Sequence, residues 1–184
     1  LGQSRSFVEA IIPMAGGVAV DFFPTPGDAT STPESGAPAL VLPPGFNIVF
    51  AGNLGTAQAL PTILQAAASL ADRDDVRFVL VGDGIQRGWL ASEVAKRGLA
   101  SVLLPGRFPA TAIPAILAQA SALLVTLNRS DAMARTIPAK ISTYMAAGKP
   151  IIASIDGEGG KAVTDARAGL ACPAEDAPAL VDAI

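Results

Sequence analysis

From residue 46 to the end, the chain alternates two hydrophobic patterns six times over. Short apolar runs occupy residues 47–51, 76–81, 101–104, 122–127, 151–155 and 170–172. Between them, apolar residues recur at helical spacing: Leu60, Ile63, Leu64 and Ala67, then Leu90 and Val94, then Ile113, Ile116, Leu117 and Ala120. The spacing predicts a helix in each of these segments, with further helices opening at Pro138, over 161–168 and from Asp176, and a polar loop over 128–135. The run 151–155 reads as a strand covered on both faces. Strand and helix alternating through short connections mean crossover units and a parallel sheet. The expected fold class is α/β: a doubly wound, Rossmann-like parallel sheet, whose ligands bind outside the carboxyl ends of the strands.

The first 45 residues differ in kind. Residues 1–23 contain a possible helix near 6–14 and a strand-like stretch at 18–23. Residues 24–45 carry Pro24, Pro26, Pro33, Pro38, Pro43 and Pro44 among Gly, Ser, Thr and Ala, a linker composition. The expected organisation is thus a remnant at 1–23, a linker at 24–45 and a folded unit at 46–184. The chain does not open with Met, its start lacks the pattern of a signal peptide, and its last residues resemble a helix cut short. The expectation is a piece of a longer protein.

Composition narrows the chemistry. The 184 residues are 51% hydrophobic and 16% charged, enough for a real core. A net charge of −3 argues against nucleic acid as a partner. With no histidine and one cysteine, Cys172, a Ser-His triad and a histidine- or cysteine-built metal site are excluded. Cys172 reads as an inert core thiol.

The candidate chemistry sits in the loops after the strands. Gly52-Asn53-Leu54-Gly55 follows the first strand. Its glycines allow close backbone approach to a diphosphate, and they equally suit a plain strand-to-helix turn. It is not a Gly-x-Gly-x-x-Gly fingerprint, which disfavours a nicotinamide cofactor. Gly82-Asp83-Gly84 reads as a tight turn capped by aspartate. Arg107 and Phe108 suit the face of a nucleobase, or an ordinary loop.

The segment Thr136-Ile137-Pro138-Ala139-Lys140 reads as a polar lead-in to a helix whose first turn holds Pro138 and whose stop is Gly148. A cation beside a helix N-terminus opposes the helix dipole unless an anion sits there. Lys140 is therefore a phosphate ligand or else a solvated surface lysine, and Thr143, three residues on, shares its helical face. In the loop 156–160, Asp156 and Glu158 suit either hydroxyl binding or a helix start.

Taken in order, Phe50-Ala-Gly-Asn-Leu-Gly55, Phe78-Val-Leu-Val-Gly-Asp-Gly84, Leu104-Pro-Gly-Arg107 and Ile137-Pro-Ala-Lys140 through Glu158 resemble one family. They look like the C-terminal, nucleotide-sugar-binding domain of a family 4 (group 1) glycosyltransferase with the GT-B fold. Within the family the resemblance is to bacterial amino-sugar and fucosamine transferases of polysaccharide assembly, lipopolysaccharide included. It covers roughly 46–184, with Gln3-Ser-Arg-Ser-Phe7 like the tail of the N-terminal domain.

The resemblance implies retaining transfer of a sugar from a nucleotide-diphosphate donor, UDP-linked, to a saccharide or lipid-linked acceptor, with no metal or cofactor required. It implies that Gly52, Asn53, Leu54 and Gly55 and the Lys140 helix start hold the diphosphate, Lys140 stabilising it as it leaves. Arg107 and Phe108 would meet the base. Arg135, Thr136, Ile137, Pro138 and Ala139 would lie near the donor sugar, and Thr143 near the ribose. It further implies a cytoplasmic protein, with any attachment at the inner face of the membrane supplied by the N-terminal half. That half would also carry the acceptor site, leaving this chain alone inactive.

Five positions depart from the family pattern. Arg135 and Thr143 stand where many relatives have two glutamates, Asn53 and Gln58 replace an Arg-Lys pair, and Ala139 replaces serine. A sugar-nucleotide epimerase on the same fold, and a non-enzymatic nucleotide-sugar-binding domain, stay open as alternatives.

Overall fold

The computed structural model describes residues 40–184. The remnant expected at 1–23, with its helix and strand, and residues 24–39 of the expected linker lie outside the described residues.

Six strands form one sheet: β1 (Phe46–Ala51), β2 (Val76–Val81), β3 (Val102–Gly106), β4 (Ala122–Thr126), β5 (Ile151–Ser154) and β6 (Gly169–Cys172). Every pairing is parallel, in the order β3-β2-β1-β4-β5-β6. The helices between them are α1 (Leu60–Ser69), α2 (Arg87–Arg97), α3 (Ile113–Ala118), α4 (Asp131–Ala134), α5 (Ala139–Ala146) and α6 (Glu158–Asp165), with α7 (Ala177–Asp182) last. This is the doubly wound, Rossmann-like α/β sheet that the alternation predicts.

The period of two along each strand sorts the core into two layers. Ile48, Phe50, Phe78, Leu80 and Leu124 point to one face and pack with Leu60, Ile63 and Leu64 of α1, Leu90 of α2 and Leu180 of α7. Val49, Val79, Val81, Leu123, Val125 and Ala153 point to the other, against Ile116 and Leu117 of α3, Ile141 and Tyr144 of α5 and Val163 of α6. Cys172 packs at the rim of the first layer, and burial raises its thiol above the ordinary range, which suits an unreactive group.

Several sequence expectations shift. The loop expected over 128–135 contains α4, because Ser130 caps it by accepting the Met133 N–H at 3.2 Å. The third strand includes Pro105, which is tolerated because β3 is an edge strand and needs no donor on its outer side. The helix expected over 161–168 starts earlier, at Glu158, an acid in the first turn. Pro138 is not in the first turn of α5 but caps it. Its φ of −60° fits the proline ring while its ψ of 132° is extended. Its carbonyl accepts the Ile141 N–H at 2.9 Å. Gly148 does end the helix, at φ +66°.

Residues 40–45, expected with the linker, are fastened to the sheet layer. Gln119 of the α3 C-cap accepts the Leu42 N–H at 3.0 Å and donates to the Leu40 carbonyl at 2.9 Å. Asn47 donates to the Pro43 carbonyl at 2.7 Å and Arg77 to that of Pro44 at 2.9 Å.

The two halves of the sheet meet at β1 and β4, where the strand order reverses. Their ladder holds at Ile48↔Ala122 and Val49↔Leu123. Beyond it, α5 closes on the end of β1 through Tyr144, which is fully buried. The Tyr144 hydroxyl accepts the Ala51 N–H at 2.8 Å and donates to the Ala51 carbonyl at 3.2 Å. Tyr144→Phe keeps the volume but strips both backbone groups of their partner. We expect a loss of about 1–3 kcal/mol in chemical denaturation, the cost of buried groups left unsatisfied. A loss within experimental error would mean that water replaces the hydroxyl.

Candidate functional site

The site forms at the carboxyl ends of β1 and β4, where such sheets bind their ligands. Its first component is a lip of glycine loops. Gly82 takes φ +143°, and a Cβ there would collide with the Gly52 carbonyl. Glycine at 82 thus lets the β2 loop lie directly against the β1 loop. Hydrogen bonds stitch the lip together: Gly52 N–H to Val81 O at 2.9 Å, Leu54 N–H to Asp83 O at 2.8 Å and Gly82 N–H to Gly106 O at 2.8 Å. Asp83 accepts the Gly84 N–H at 2.8 Å, the aspartate-capped turn expected of that motif.

Two of the four amides of the 52–55 loop are therefore committed to β2. Among the described residues, the Asn53 and Gly55 amides make no such bond. Gly52 and Asn53 are exposed, whereas Leu54 is buried in the core.

The second component locks β1 to β4. Thr126, fully buried, donates to the Gln58 carbonyl at 2.6 Å. The Asn128 side chain donates to Thr56 O at 2.8 Å and accepts the Ala59 N–H at 2.9 Å, and the Asn128 N–H reaches Ala57 O at 2.9 Å. This clasp holds Ala59 at φ +45°, a conformation an alanine adopts only under constraint. It fixes the short 3₁₀ turn Thr56–Gln58 ahead of α1.

The third component is Lys140. It stands one turn before Tyr144 on α5, so the two side chains share a face and both reach the end of β1. The ammonium lies 3.7 Å from the centre of the Phe50 ring and donates to Gln58 Oε1 at 2.9 Å. A Cβ on Gly52 would sit 3.4 Å from its Nζ. Among the described residues no carboxylate pairs with it; Arg129 takes Asp156, at 3.3 Å. Burial without a counter-ion pushes the Lys140 ammonium down to about 7. The side chain is half-buried, not a solvated surface lysine. Pro138 offers no side-chain cap to α5, so among the described residues the Ala139 and Lys140 N–H groups are open at the helix start that carries the same cation.

The remaining sequence candidates are spread around this centre. Arg135, Thr136 and Ile137 are exposed on the α4–α5 connection, where Thr136 donates to the Ala132 carbonyl at 2.9 Å. That connection rests on α6 through glycine: a Cβ on Gly157 would strike the Ala134 carbonyl, and one on Gly159 would lie 3.1 Å from Pro138. Thr143 is partly buried, but Tyr144 rather than Thr143 makes the contact to β1. Arg107 is exposed on the β3 loop, two strands from β1, and Phe108 packs into the second core layer. Asp156 accepts the Ala174 N–H at 2.9 Å besides pairing with Arg129, so it ties β5 to the end of β6.

Sequence reasoning missed three functional neighbours. Phe50 as the platform of Lys140, Gln58 as its acceptor and Asn128 as the clasp depend on contacts between distant segments, 82 positions apart for Lys140–Gln58 and 69 for Asn128–Ala59. The only signal for Gln58 was its standing where the resemblance leads one to expect a cation. Among the described residues no group of His, Cys, Asp and Glu is placed to hold a metal, and no helix is long and apolar enough to cross a membrane.

A family model described as Glycosyl transferases group 1 matches residues 45–184. The Escherichia coli (strain K12) protein WcaI, named as a colanic acid biosynthesis glycosyl transferase, is 31% identical over 101 residues, 55% of this chain and 24% of that protein. Among solved structures, Anabaena HepE in complex with UDP and glucose aligns with a TM-score of 0.59 at 19% identity, over 75% of this chain and 37% of that one. The C-terminal domain of a glycosyl transferase group 1 family protein from Francisella tularensis aligns with a TM-score of 0.62 at 16% identity, over 90% of this chain and 85% of that one. At these identities the structural likeness is one of fold. The chain spans about a quarter of the curated relative's length.

The buried cation has a measurable consequence. Unfolded, a lysine titrates near 10.5, and in the fold Lys140 titrates at about 7. Between those values the unfolded state binds more protons, so this group makes stability rise with pH across that window. Below it both states are protonated and the cost of burying the charge is felt in full. Lys140→Met keeps the aliphatic stem, so we expect it to be more stable than the parent at about pH 6. That advantage should shrink by about pH 9 in chemical denaturation. An advantage constant across the range would show that another group sets the slope.

Proposed function

The chain belongs to the group 1 glycosyl transferases, and on that premise we propose that it is the donor-binding part of a retaining glycosyltransferase. The donor is a nucleotide-diphosphate sugar, UDP-linked. The acceptor is a growing saccharide or lipid-linked sugar of bacterial polysaccharide assembly, seated on an N-terminal domain that completes the GT-B cleft. One observation carries this reading: an ammonium with no carboxylate partner among the described residues, beside a helix start without a side-chain cap, at the point where the strand order reverses.

That arrangement suits a leaving diphosphate. As the bond between the anomeric carbon and the phosphate oxygen breaks, negative charge gathers on the diphosphate. Lys140 and the first N–H groups of α5 face the place where that charge develops, and they are positioned before the reaction begins. The exposed Gly52 and Asn53 lie on the facing lip. Arg135, Thr136 and Ile137, exposed at the α4–α5 connection, are the side chains we assign to the donor sugar. Arg107, on the β3 loop, is assigned to the base. An amino sugar or fucosamine is the finer donor assignment, resting on the motif resemblance alone. The acceptor machinery lies outside this chain, so the isolated chain binds nucleotide and transfers nothing, and attachment to a membrane, where it occurs, belongs to the N-terminal part.

Calorimetric titration of the 184-residue chain with UDP, GDP and ADP tests the reading. We expect one diphosphate to bind, with affinity falling about tenfold or more in Lys140→Ala, a loss near 1.4 kcal/mol. Equal affinity in the variant would remove Lys140 from the donor site. Conversion of a UDP-sugar by the full-length protein with no acceptor present would favour an epimerase instead.

A further inference from the structure

The partner of Lys140 is a neutral amide, and the backbone holds that amide in place from two sides. Gln58 donates its N–H to the Gly55 carbonyl at 3.2 Å and accepts Thr126 Oγ1 on its own carbonyl at 2.6 Å. Its side-chain oxygen then meets the ammonium at 2.9 Å, opposite the Phe50 ring. Both contacts orient a cation and neither neutralises it: the amide oxygen carries a dipole and the ring a quadrupole. A half-buried ammonium in such a setting is costly, because nothing returns the charge interaction it lost with water.

The charged groups on the surrounding elements do not supply that interaction. On α5 the other titratable group is Tyr144, engaged by Ala51. On the β2 loop Asp83 caps Gly84, and on the β5 loop Asp156 is held by Arg129 and Ala174. Glu158 opens α6 and Asp131 opens α4, each in the first turn of its own helix. Arg135 stands at the end of α4. None of these makes an ion pair with Lys140 among the described residues.

Glutamate differs from glutamine at this position by one atom, and it would give Lys140 a permanent counter-ion. We propose that Gln58 is a positioning residue: its amide oxygen aims the Lys140 ammonium at the mouth beside Gly52, and its neutrality reserves that charge for an anionic diphosphate. The inference deepens the donor-site reading and rests on it. With one cation and a neutral holder at this site, the ligand itself completes the ion pair.

Two variants of the 184-residue chain separate orientation from charge. Gln58→Glu keeps the shape and the acceptor; Gln58→Ala removes both. Each is titrated with UDP, and the Lys140 side chain is followed by NMR across pH without nucleotide. In Gln58→Glu we expect a higher melting temperature, a Lys140 titration midpoint moved upward from near neutrality, and UDP affinity reduced about tenfold or more. In Gln58→Ala we expect a smaller loss of UDP affinity, with no gain in stability. A purely structural Gln58 would instead lower stability and binding together in both variants.

Gln58→Glu that binds UDP as tightly as the parent, or leaves the Lys140 midpoint where it was, overturns the inference. Gln58→Ala that loses as much affinity as Gln58→Glu overturns its charge half. Lys140→Ala run alongside distinguishes the two levels. If Lys140→Ala weakens UDP and Gln58→Glu does not, the donor site stands and this role for Gln58 falls. If the parent binds no diphosphate, or Lys140→Ala is without effect, the donor reading fails and the inference falls with it.

Discussion

A lysine ammonium is held half-buried against an aromatic ring with no acid among the described residues to answer it, and the neighbouring structure is arranged around that fact. The cation lies 3.7 Å above Phe50, a residue that is itself wholly buried in the first core layer. Its helix belongs to the second layer. Lys140 therefore spans the top of the sheet, from one core to the other, at the place where β1 and β4 part. Holding it there requires that α5 be clamped to β1, which Tyr144 does from the same helical face. It requires that the 3₁₀ turn carrying Gln58 be clamped to β4, which Thr126 and Asn128 do. Burial of an unpaired charge is tolerated when the fold over-determines its position, and binding sites are where such arrangements concentrate.

The glycines serve the same end by a different route. Gly82 lets two loops lie carbonyl against backbone, which draws the ends of β1 and β2 into one continuous lip. Gly157 does likewise beneath the α4–α5 connection, bringing the start of α6 against the Ala134 carbonyl. A side chain at either position would push a loop outward and widen the site. The left-handed Ala59 is the converse case: no glycine relieves it, and the Asn128 clasp supplies the constraint instead. Local strain on one side of the site and close backbone approach on the other together set where Lys140 and the lip face each other.

Most of the architecture was legible in the chain itself. The runs at 76–81 and 151–155, with helical spacing between runs, could mean little other than buried parallel strands with crossover helices, because each holds a single polar residue, Arg77 or Ser154, and no sustained alternation of polar with apolar. Boundaries were less legible where a local feature competed. Ser130 nucleates a four-residue helix inside a polar stretch, and Pro138 serves as cap rather than first turn because its extended ψ sets the direction in which α5 leaves. Pro105 was compatible with a strand only because β3 is an edge, and edge position is a property of the sheet order, not of the run.

The candidate site divides in the same way. The sequence by itself determined the strand and helix content, the glycine loops at the carboxyl ends, and Lys140 at the start of a helix as the outstanding cation, since these follow from patterns spanning a few neighbouring residues. Only the tertiary structure decided that Lys140 is half-buried, that Gln58 and Phe50 hold it, that Tyr144 rather than Thr143 meets β1, and that two of the four lip amides are spent on β2. The physical reason is range. Propensity and periodicity act between residues close along the chain, whereas desolvation and the satisfaction of buried polar groups depend on what the folded sheet brings together from distant segments.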